Sequence, residues 1–259
     1  MKTFTEGHFT GIIPARFAST RFPGKPLALI GDKPMIQHVY EKAYGVLSSV
    51  FVATDDTRIE AAVKAFGGNV IMTSPAHRSG TDRCAEAALI IERQQGRKPE
   101  IIINIQGDEP FIRPQQINLL TKCFEERDVE IATLIRKVEI DEDLFNSNHP
   151  KVVLSLDGDA IYFSRSAIPY YRDAEKQRWQ QNHTYYKHIG IYGYKTDTLL
   201  KITSLSQSSL EIAESLEQNR WLENGYKIRT AITPWESIGI DTPEDLEKAR
   251  DYYQKHIDN

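Results

Sequence analysis

The first 105 residues alternate short apolar runs with segments in which apolar residues recur every three or four positions. Such runs are typical of strands buried on both faces, and the recurring spacing is typical of amphipathic helices. The predicted strands are residues 11–13, 50–54, 70–73 and 101–103. Because helical segments with short connections separate them, the pattern predicts an α/β fold with a doubly wound, mostly parallel sheet.

The pattern changes after about residue 126, where predicted strands follow one another more closely. Two β runs flank Asp157-Gly158-Asp159, a strong hairpin signal, so we predict a β-rich arm inserted into a single domain. Further strands are predicted at 130–135, 188–194 and 227–232, with helices over 208–222 and from Thr242 onward. Residues 168–186 are aromatic without a clear period, and we expect an excursion that serves as a substrate lid or a partner-facing surface.

Composition and charge narrow the class of protein. An apolar content of 40% with 26% charged residues is ordinary for a soluble globular chain of 259 residues. The net charge of −4 predicts no nucleic-acid partner, and no apolar stretch approaches the ~18 residues of a membrane-spanning helix. Cys84 and Cys123 stand alone, and the N-terminus has no signal-like apolar region, so we expect a cytoplasmic protein.

A loop with three cations follows the first predicted strand. Pro14 ends that strand, and Arg16, Arg21 and Lys25 follow among small residues and further prolines. Fixed cations at the end of a buried strand suit a polyphosphate. The loop has neither the Walker spacing nor the dinucleotide glycine pattern, and a solvated surface turn explains these residues equally well.

Two carboxylates near predicted strand ends are candidate metal ligands. Asp108 directly follows the most apolar strand, where it could hold Mg²⁺ against nucleotide phosphates. We favour this function over a polar turn closed by Pro110, because Gly107 indicates close approach of a ligand to the backbone. Asp241 precedes a helix, where an acidic residue is favourable for structural reasons alone. Together the two could bind one or two Mg²⁺ ions.

The second half offers candidates that spacing alone does not support. Arg165 could bind a substrate carboxylate and His188 could hydrogen-bond hydroxyl groups, but a surface arginine and a half-buried histidine fit the spacing better. Glu217 and Gln218 fall in a predicted helix, where a solvated polar face is the default interpretation.

Motifs along nearly the whole chain resemble those of one family. The segment IIPARFASTRFPGKPL at 12–27 is similar to the opening loop of bacterial 3-deoxy-manno-octulosonate cytidylyltransferases. Further blocks match in the family's order: VATD at 52–55, HRSGTDR at 77–83, NIQGDEP at 104–110, KVVL at 151–154, YFSRSAIP at 162–169, HIGIYGY at 188–194, LEQ at 216–218 and GIDTPEDL at 239–246. The combination is more specific than any single block, because the opening loop with Asp108 would alone indicate only some sugar nucleotidyltransferase.

The resemblance implies transfer of CMP from CTP to 3-deoxy-D-manno-octulosonate (Kdo), giving CMP-Kdo and pyrophosphate, the activation step for lipopolysaccharide synthesis. It also implies a nucleotide-diphospho-sugar transferase-like fold, a homodimer, and Mg²⁺ held by Asp108 and Asp241, with Lys25 also catalytic. The implied nucleotide-binding residues are Arg16, Arg21, Lys25, Gly80, Thr81 and Arg83. The implied sugar-acid residues are Gln106, Arg165, His188, Tyr192, Glu217 and Gln218. Residues 1–126 would then mainly bind nucleotide, and 127–259 would mainly bind sugar and form the dimer.

Departures from the family pattern are few, and three rival functions remain. Arg78 stands where variable polar residues are expected, and the arm at 170–184 is not matched in detail. The rivals are a cytidylyltransferase for another acidic sugar such as a sialic acid, a non-catalytic nucleotide-sugar binder, and a glycosyltransferase. A glycosyltransferase metal site usually carries an Asp-x-Asp triplet, and the one at 157–159 fits a hairpin turn better. The preference among modified octulosonates also stays open.

Overall fold

The computed structural model describes residues 8–18, 21–126, 128–139, 142–236 and 238–256. Its strands are β1 (Phe9–Ala15), β2 (Leu29–Ile30), β3 (Lys33–Pro34), β4 (Ser49–Thr54), β5 (Val70–Met72), β6 (Ile101–Asn104), β7 (Ile131–Lys137), β8 (Lys151–Leu154), β9 (Ala160–Ser164), β10 (Tyr186–Lys195) and β11 (Arg229–Ile232). Its helices are α1 (Met35–Tyr44), α2 (Thr57–Ala65), α3 (Gly80–Gln95), α4 (Pro114–Lys122), α5 (Trp179–Asn182), α6 (Thr196–Ile202), α7 (Ser209–Glu214), α8 (Glu217–Glu223) and α9 (Pro243–His256). None of these described helices is long and apolar enough to cross a membrane.

The first of two compact units takes its described residues from Met1–Asn118, Gly193–Thr203 and Ser237–Asn259. Its strands β6, β1, β4 and β5 lie side by side in that order, and each neighbouring pair is parallel. The side chains of Ile12 and Ile103 are fully buried, as expected for central strands covered on both faces. The parallel α/β arrangement predicted for the first 105 residues is therefore confirmed.

Two helices of this unit begin with side-chain caps, and the start predicted at Thr242 is confirmed. The Ser79 hydroxyl accepts from the Asp82 amide while the Asp82 carboxylate accepts from the Ser79 amide, which forms the capping box ahead of α3. The Thr242 hydroxyl accepts from the Asp245 amide at 3.2 Å, and Pro243 is the first residue of α9. This second cap fixes the chain segment that carries Asp241.

The second unit takes its described residues from Leu119–Tyr192 and Ser204–Glu236. Strand β11 pairs with β7 in parallel, and β8 pairs with both β9 and β10 in antiparallel fashion. Strands β8 and β9 form the predicted hairpin, with Gly158 in its turn at φ 81°, a conformation that favours glycine. Asp159 in the same turn pairs with Arg229 at 2.7 Å, so the Asp-x-Asp triplet has a structural role.

The aromatic segment at 168–186 has a small core within the second unit. Trp179 and Tyr185 are buried in a cluster with Val138 and Leu144. The rings of Trp179 and Tyr185 stack with their centroids 6.3 Å apart. The predicted role of this segment as a lid or a partner-facing surface stays a prediction.

The single helix predicted over 208–222 is wrong. The chain forms α7 and α8 instead, with Ser215 between them at φ 51°. Few residues other than glycine adopt this left-handed conformation, which interrupts the helical hydrogen bonds. A new helix therefore begins at Glu217, and Gln218 is buried instead of lying on a solvated face.

Replacing Gly31 with alanine should destabilise the first unit by about 2–3 kcal/mol. Gly31 has φ 62°, and a Cβ atom there would lie 2.7 Å from Tyr253 Cε1 on α9. The matched control is Gly96→Ala, because Gly96 has φ 67° and nothing within 4 Å of its added Cβ. That variant should lose only about 1 kcal/mol, from backbone strain alone. Urea unfolding measures both, and equal losses would contradict a packing role for the Gly31–Tyr253 contact.

Candidate active site

A cleft of about 270 Å³ lies at the carboxyl ends of the parallel strands of the first unit. Strand β1 ends at Ala15 and β6 ends at Asn104, and residues just beyond both ends line the cleft. Open α/β sheets bind their ligands at this end of the strands.

An ion cluster of Lys25, Asp108 and Asp241 occupies the cleft. The Lys25 ammonium donates to Asp108 Oδ2 at 2.7 Å and to Asp241 Oδ1 at 3.2 Å. Lys25 follows Gly24, whose φ of 73° suits glycine, and opens a short 3-10 turn. Only 13% of the lysine side chain is exposed. Partial burial strengthens both ion pairs, because the effective dielectric constant is lower than in water.

Backbone contacts hold the two carboxylates in place. The Ile240 amide donates to the Asp108 carbonyl at 3.0 Å, and the Ile240 side chain is buried in the core of the unit. The Asp245 carboxylate accepts from the amides of Asp241 and Thr242. Asp245 therefore has the helix-start role that the sequence alone assigned to Asp241. The Asp241 carboxylate is left to pair with Lys25.

The contact that requires glycine at position 107 is made by the protein itself. A Cβ atom on Gly107 would lie 2.9 Å from the Pro14 carbonyl oxygen. The loop after β6 can therefore approach the end of β1 only with glycine at this position. Close approach of a ligand at Gly107 stays a prediction, because the contact with Pro14 already explains the glycine. The tight fit still matters for the site, because Asp108 is the next residue.

The other two loop cations lie in the same cleft. Arg21 Nη2 is 3.2 Å from Asp241 Oδ1, and the exposed Arg16 lines the cleft wall. The structure thus brings the three predicted cations together with both predicted carboxylates. Cations gathered on one wall suit a polyphosphate, whereas a solvated turn would leave them scattered.

The start of α3 supplies another part of the wall. Gly80 and Arg83 line the cleft, whereas Thr81 is buried outside the lining. Arg83 Nη2 lies 3.0 Å from Asp55 Oδ1, and its Nη1 donates to Thr73 Oγ1 at 2.6 Å. The Arg83 charge is therefore neutralised within the fold. The nucleotide-binding roles of these three residues stay predictions, for which Gly80 is the best placed.

The cleft also contains His77 and Arg78, to which the sequence assigned no role. His77 Nε2 lies 2.5 Å from Glu86 Oε2, and the same oxygen accepts from the Ser74 amide at 2.7 Å. Burial would raise the pKa of Glu86, but these hydrogen bonds outweigh it and lower the pKa. The sequence signal for His77 and Arg78 was that both lie in the family-like block at 77–83, in which Arg78 differs from the family pattern. Glu86 lies outside that block and had no local signal.

Arg165 is held by backbone carbonyls of the second unit. Its Nε donates to the Glu214 carbonyl at 2.7 Å, its Nη1 to the Ser147 carbonyl at 3.0 Å and its Nη2 to the Ser215 carbonyl at 3.4 Å. Arg165 is therefore a partly exposed arginine whose guanidinium is fixed in position. A guanidinium has five N–H donors, so the fixed group retains donors for a ligand.

Glu214 is a further residue that the sequence did not single out. Its carboxylate accepts from the Ser164 hydroxyl at 2.6 Å, the Arg165 amide at 2.9 Å and the Tyr162 hydroxyl at 3.1 Å. Burial would raise the pKa of Glu214, but these hydrogen bonds lower it. The ionised carboxylate therefore ties the end of β9 to α7.

His188 and Tyr192 form a neutral pair in the second unit. His188 is half-buried, as its spacing in the sequence indicated, and Tyr192 is buried. Their ring centroids are 5.2 Å apart, and His188 Nε2 lies 3.0 Å from Thr133 Oγ1. Burial lowers the pKa of His188 to about 3 and raises the pKa of Tyr192 well above its ordinary value. Both side chains can hydrogen-bond hydroxyl groups at pH 7, but neither can neutralise a carboxylate.

Glu217 and Gln218 lie in the first turn of α8. Glu217 Oε1 accepts from Arg220 Nη2 at 2.8 Å. After burial, the negative charge of Glu217 is the second cause that raises the pKa of Tyr192. Gln218 is buried, and its Nε2 has no hydrogen-bond partner within the described parts of the chain. Leaving such a donor unsatisfied costs about 1–3 kcal/mol, so Gln218 points to a bound water or ligand.

The predicted sugar-acid residues divide between the two units. Gln106 lines the cleft of the first unit, and the other five belong to the second. Within the second unit, His188 contacts Tyr192, and the charge of Glu217 helps to raise the pKa of Tyr192. Arg165 contacts the chain just before Glu217. Their joint role in binding a sugar acid stays a prediction.

Comparison with known proteins places the chain in a family. A profile described as cytidylyltransferase matches residues 10–228. A 3-deoxy-manno-octulosonate cytidylyltransferase of Parabacteroides distasonis is 60% identical, over 93% of this chain and 96% of that protein. The one of Bacteroides thetaiotaomicron is 58% identical, over 94% of this chain and 97% of that protein. This chain belongs to the 3-deoxy-manno-octulosonate cytidylyltransferase family.

A solved structure extends the comparison to three dimensions. A CMP:2-keto-3-deoxy-manno-octonic acid synthetase complexed with CTP is 44% identical, with a TM-score of 0.86. The match covers 96% of this chain and 99% of that chain. The family resemblance and the predicted transferase-like fold, with a mixed, mostly parallel sheet and flanking helices, are therefore confirmed. The chain is a nucleotidyltransferase of this cytidylyltransferase family.

The neutral His188 should make this cytidylyltransferase sensitive to acid. Its folded pKa of about 3 lies below the ordinary 6.5, so between these values only the unfolded chain gains the proton. The stability due to this group is complete above pH 6.5 and is lost as the pH falls towards 3. Between pH 7 and pH 5, the wild type should lose about 2 kcal/mol more unfolding free energy than His188→Gln.

Urea unfolding at the two pH values measures this difference. His183→Gln is the control, because His183 is an exposed histidine of the same unit and should leave the wild-type pH dependence unchanged. Equal pH dependence in the wild type and His188→Gln would show that the fold does not keep His188 neutral.

Proposed function

We propose that this chain transfers the cytidylyl group of CTP to the anomeric hydroxyl of Kdo. The convergence of Lys25 with Asp108 and Asp241 at the strand ends carries the proposal, in a chain from this family. The anomeric oxygen attacks the α-phosphorus in line, and the bond from that phosphorus to the oxygen bridging to the β-phosphate breaks. Pyrophosphate leaves, CMP-Kdo forms, and the hydroxyl proton passes to solvent.

Positioning and electrostatics supply most of the rate in this proposal, as is usual for transfer of phosphoryl groups. Arg16, Arg21 and Lys25 line one cleft and would hold the triphosphate. The same cations would stabilise the charge that collects on the leaving pyrophosphate. Because the loop has no glycine-rich amide cradle, the side-chain charges must do most of this binding.

Asp108 and Asp241 fit a magnesium site. Both carboxylates reach the same lysine nitrogen, and Mg²⁺ in nucleotide enzymes takes one or two carboxylates plus substrate phosphates. Within the described residues, no three His, Cys, Asp or Glu side chains form a metal-binding group, so phosphates and water would complete the shell. When bound, Mg²⁺ would neutralise phosphate charge and help ionise the attacking hydroxyl.

The second unit would bind the sugar acid. Arg165 would meet the carboxylate of Kdo with its remaining donors, since its position is fixed by three backbone carbonyls. The neutral His188 and Tyr192 would hydrogen-bond hydroxyl groups. Gln218 Nε2, which has no partner among the residues that the structure describes, would donate to another oxygen of the sugar.

The proposal extends to the setting of the enzyme. We place the enzyme in the cytoplasm, where it would catalyse the activating step of lipopolysaccharide synthesis. The buried free thiols of Cys84 and Cys123 agree with a reducing compartment.

We also expect a homodimer. Exposed apolar side chains on the second unit, such as Ile161 and Ile212, offer a surface for it. Light scattering at several concentrations tests the dimer.

A coupled pyrophosphate-release assay over a panel of nucleotides and sugar acids tests the proposed substrates. The four ribonucleoside triphosphates are each combined with Kdo, 8-amino-Kdo and a sialic acid. We expect release to require both CTP and an octulosonate. Release with sialic acid alone would favour the rival transferase, and binding of CTP without release for any acid would favour a non-catalytic binder.

A further inference from the structure

The ammonium of Lys25 stands where two carboxylates converge. Its nitrogen contacts Asp108 at 2.7 Å and Asp241 at 3.2 Å, and its side chain is largely buried. Two carboxylates so close to one point repel each other unless a cation lies between them. Lys25 supplies that cation from within the chain.

We propose that Lys25 is a resident counter-ion that holds the Asp108–Asp241 pair ready and exchanges its partners when Mg²⁺ and CTP enter together. In the exchange, Lys25 leaves the carboxylates and turns to the phosphates. The inference rests on the proposed function, because it takes Asp108 and Asp241 as the magnesium ligands. It adds a competition between Lys25 and the metal for the same pair of carboxylates.

The physical basis is repulsion between two cations at one place. A Mg²⁺ ion bound where the two carboxylates converge would lie close to the Lys25 ammonium, which is 2.7 Å from Asp108 Oδ2 and 3.2 Å from Asp241 Oδ1. Lysine suits such an exchange, since it is a point charge on a flexible four-carbon stem. Of the two carboxylates, Arg21 contacts Asp241, and its side chain is largely exposed. Arg21 is therefore a weaker competitor of Mg²⁺ than Lys25.

The exchange couples the two ligands. If Mg²⁺ binds alone, it must displace Lys25 from the two carboxylates. The ammonium of Lys25 then has no negative partner while it is still partly buried in the cleft. With CTP present, the phosphates receive the displaced ammonium, so the cost is offset. Each ligand should therefore raise the affinity for the other.

Thermal-shift titration with Mg²⁺ alone, without nucleotide, tests the inference on the full chain. Lys25→Met removes the charge and keeps an unbranched side chain. We expect Lys25→Met to reach half of its Mg²⁺-induced shift at about one-tenth of the wild-type concentration. Lys33→Met is the control, because Lys33 pairs with Glu41 at 2.8 Å and should leave the Mg²⁺ response unchanged.

Equal or weaker Mg²⁺ binding by Lys25→Met would overturn the counter-ion role, while the proposed transfer reaction could still stand. If Mg²⁺ stabilised none of the variants and pyrophosphate release in the wild type did not need it, the metal role in the proposed function would itself fail. If Lys25→Met were unfolded by circular dichroism, Lys25→Gln would replace it with the same expectation.

Discussion

Replacing Asp108 with asparagine should lower kcat by about a thousandfold or more and leave the protein folded. The variant loses one of the two carboxylates that meet at Lys25, and with it half of the charge available to a metal. The fold should survive because the Asp108 carbonyl, which accepts from the Ile240 amide, is unchanged. Pyrophosphate release with CTP and Kdo gives the rate, and urea unfolding gives the stability.

A surface aspartate provides the matched control for this change. Asp197 is 67% exposed and pairs with Lys98 at 2.6 Å, so Asp197→Asn removes the same charge away from the cleft. That variant should keep the wild-type rate. A near-normal rate for Asp108→Asn would remove Asp108 from the reaction and contradict the metal assignment.

Replacing Arg165 with alanine should raise KM for Kdo by about 10–100-fold, the range expected when a charged hydrogen-bonding partner is lost. KM for CTP should stay the same, because the proposed triphosphate-binding cations all line the cleft of the first unit. Part of the effect would come from positioning, since Arg165 also holds the Glu214 and Ser215 carbonyls just before Glu217.

Steady-state kinetics with each substrate varied in turn separates these effects. Arg178→Ala is the control, because Arg178 is exposed in the same unit and should leave both KM values unchanged. If Arg165→Ala weakened CTP alone, the assignment of the sugar-acid site would be wrong.

Much of the first unit could be predicted from local patterns. Continuous apolar runs predict buried parallel strands, and Ser79 and Thr242 have the side chains that cap helices. The position of cations and carboxylates after strand ends also follows from sequence, since parallel strands share one carboxyl edge. Lys25 and Asp108 therefore lie at one edge, whereas Asp241 directly follows no described strand and is held beside them by the hydrogen bond from the Ile240 amide to the Asp108 carbonyl.

The features that sequence patterns miss depend on backbone conformation or distant contacts. The apolar spacing over 208–222 fits one helix, and only the left-handed Ser215 shows that there are two. Glycine is needed at position 107 because of the Pro14 carbonyl, which is 93 positions earlier in the sequence. Nothing in the local sequence pattern indicates that contact. Glu214 acquires its role from hydroxyl and amide donors about 50 residues away.

The sugar-acid candidates show what a family resemblance adds. Residue spacing alone gives Glu217 and Gln218 a solvated helix face, whereas the resemblance singles them out. The structure buries Gln218 and leaves its Nε2 without a hydrogen-bond partner within the described residues, a state that a solvated face would not produce. Such a state depends on the break at Ser215, which only the three-dimensional structure contains.

Phosphorus NMR of the protein with CTP, Kdo and Mg²⁺ follows the proposed transfer itself. We expect a new phosphodiester signal from CMP-Kdo and an equal amount of pyrophosphate, both absent when Kdo is left out. Unchanged CTP, or conversion of CTP to CMP without Kdo, would contradict the proposed transfer.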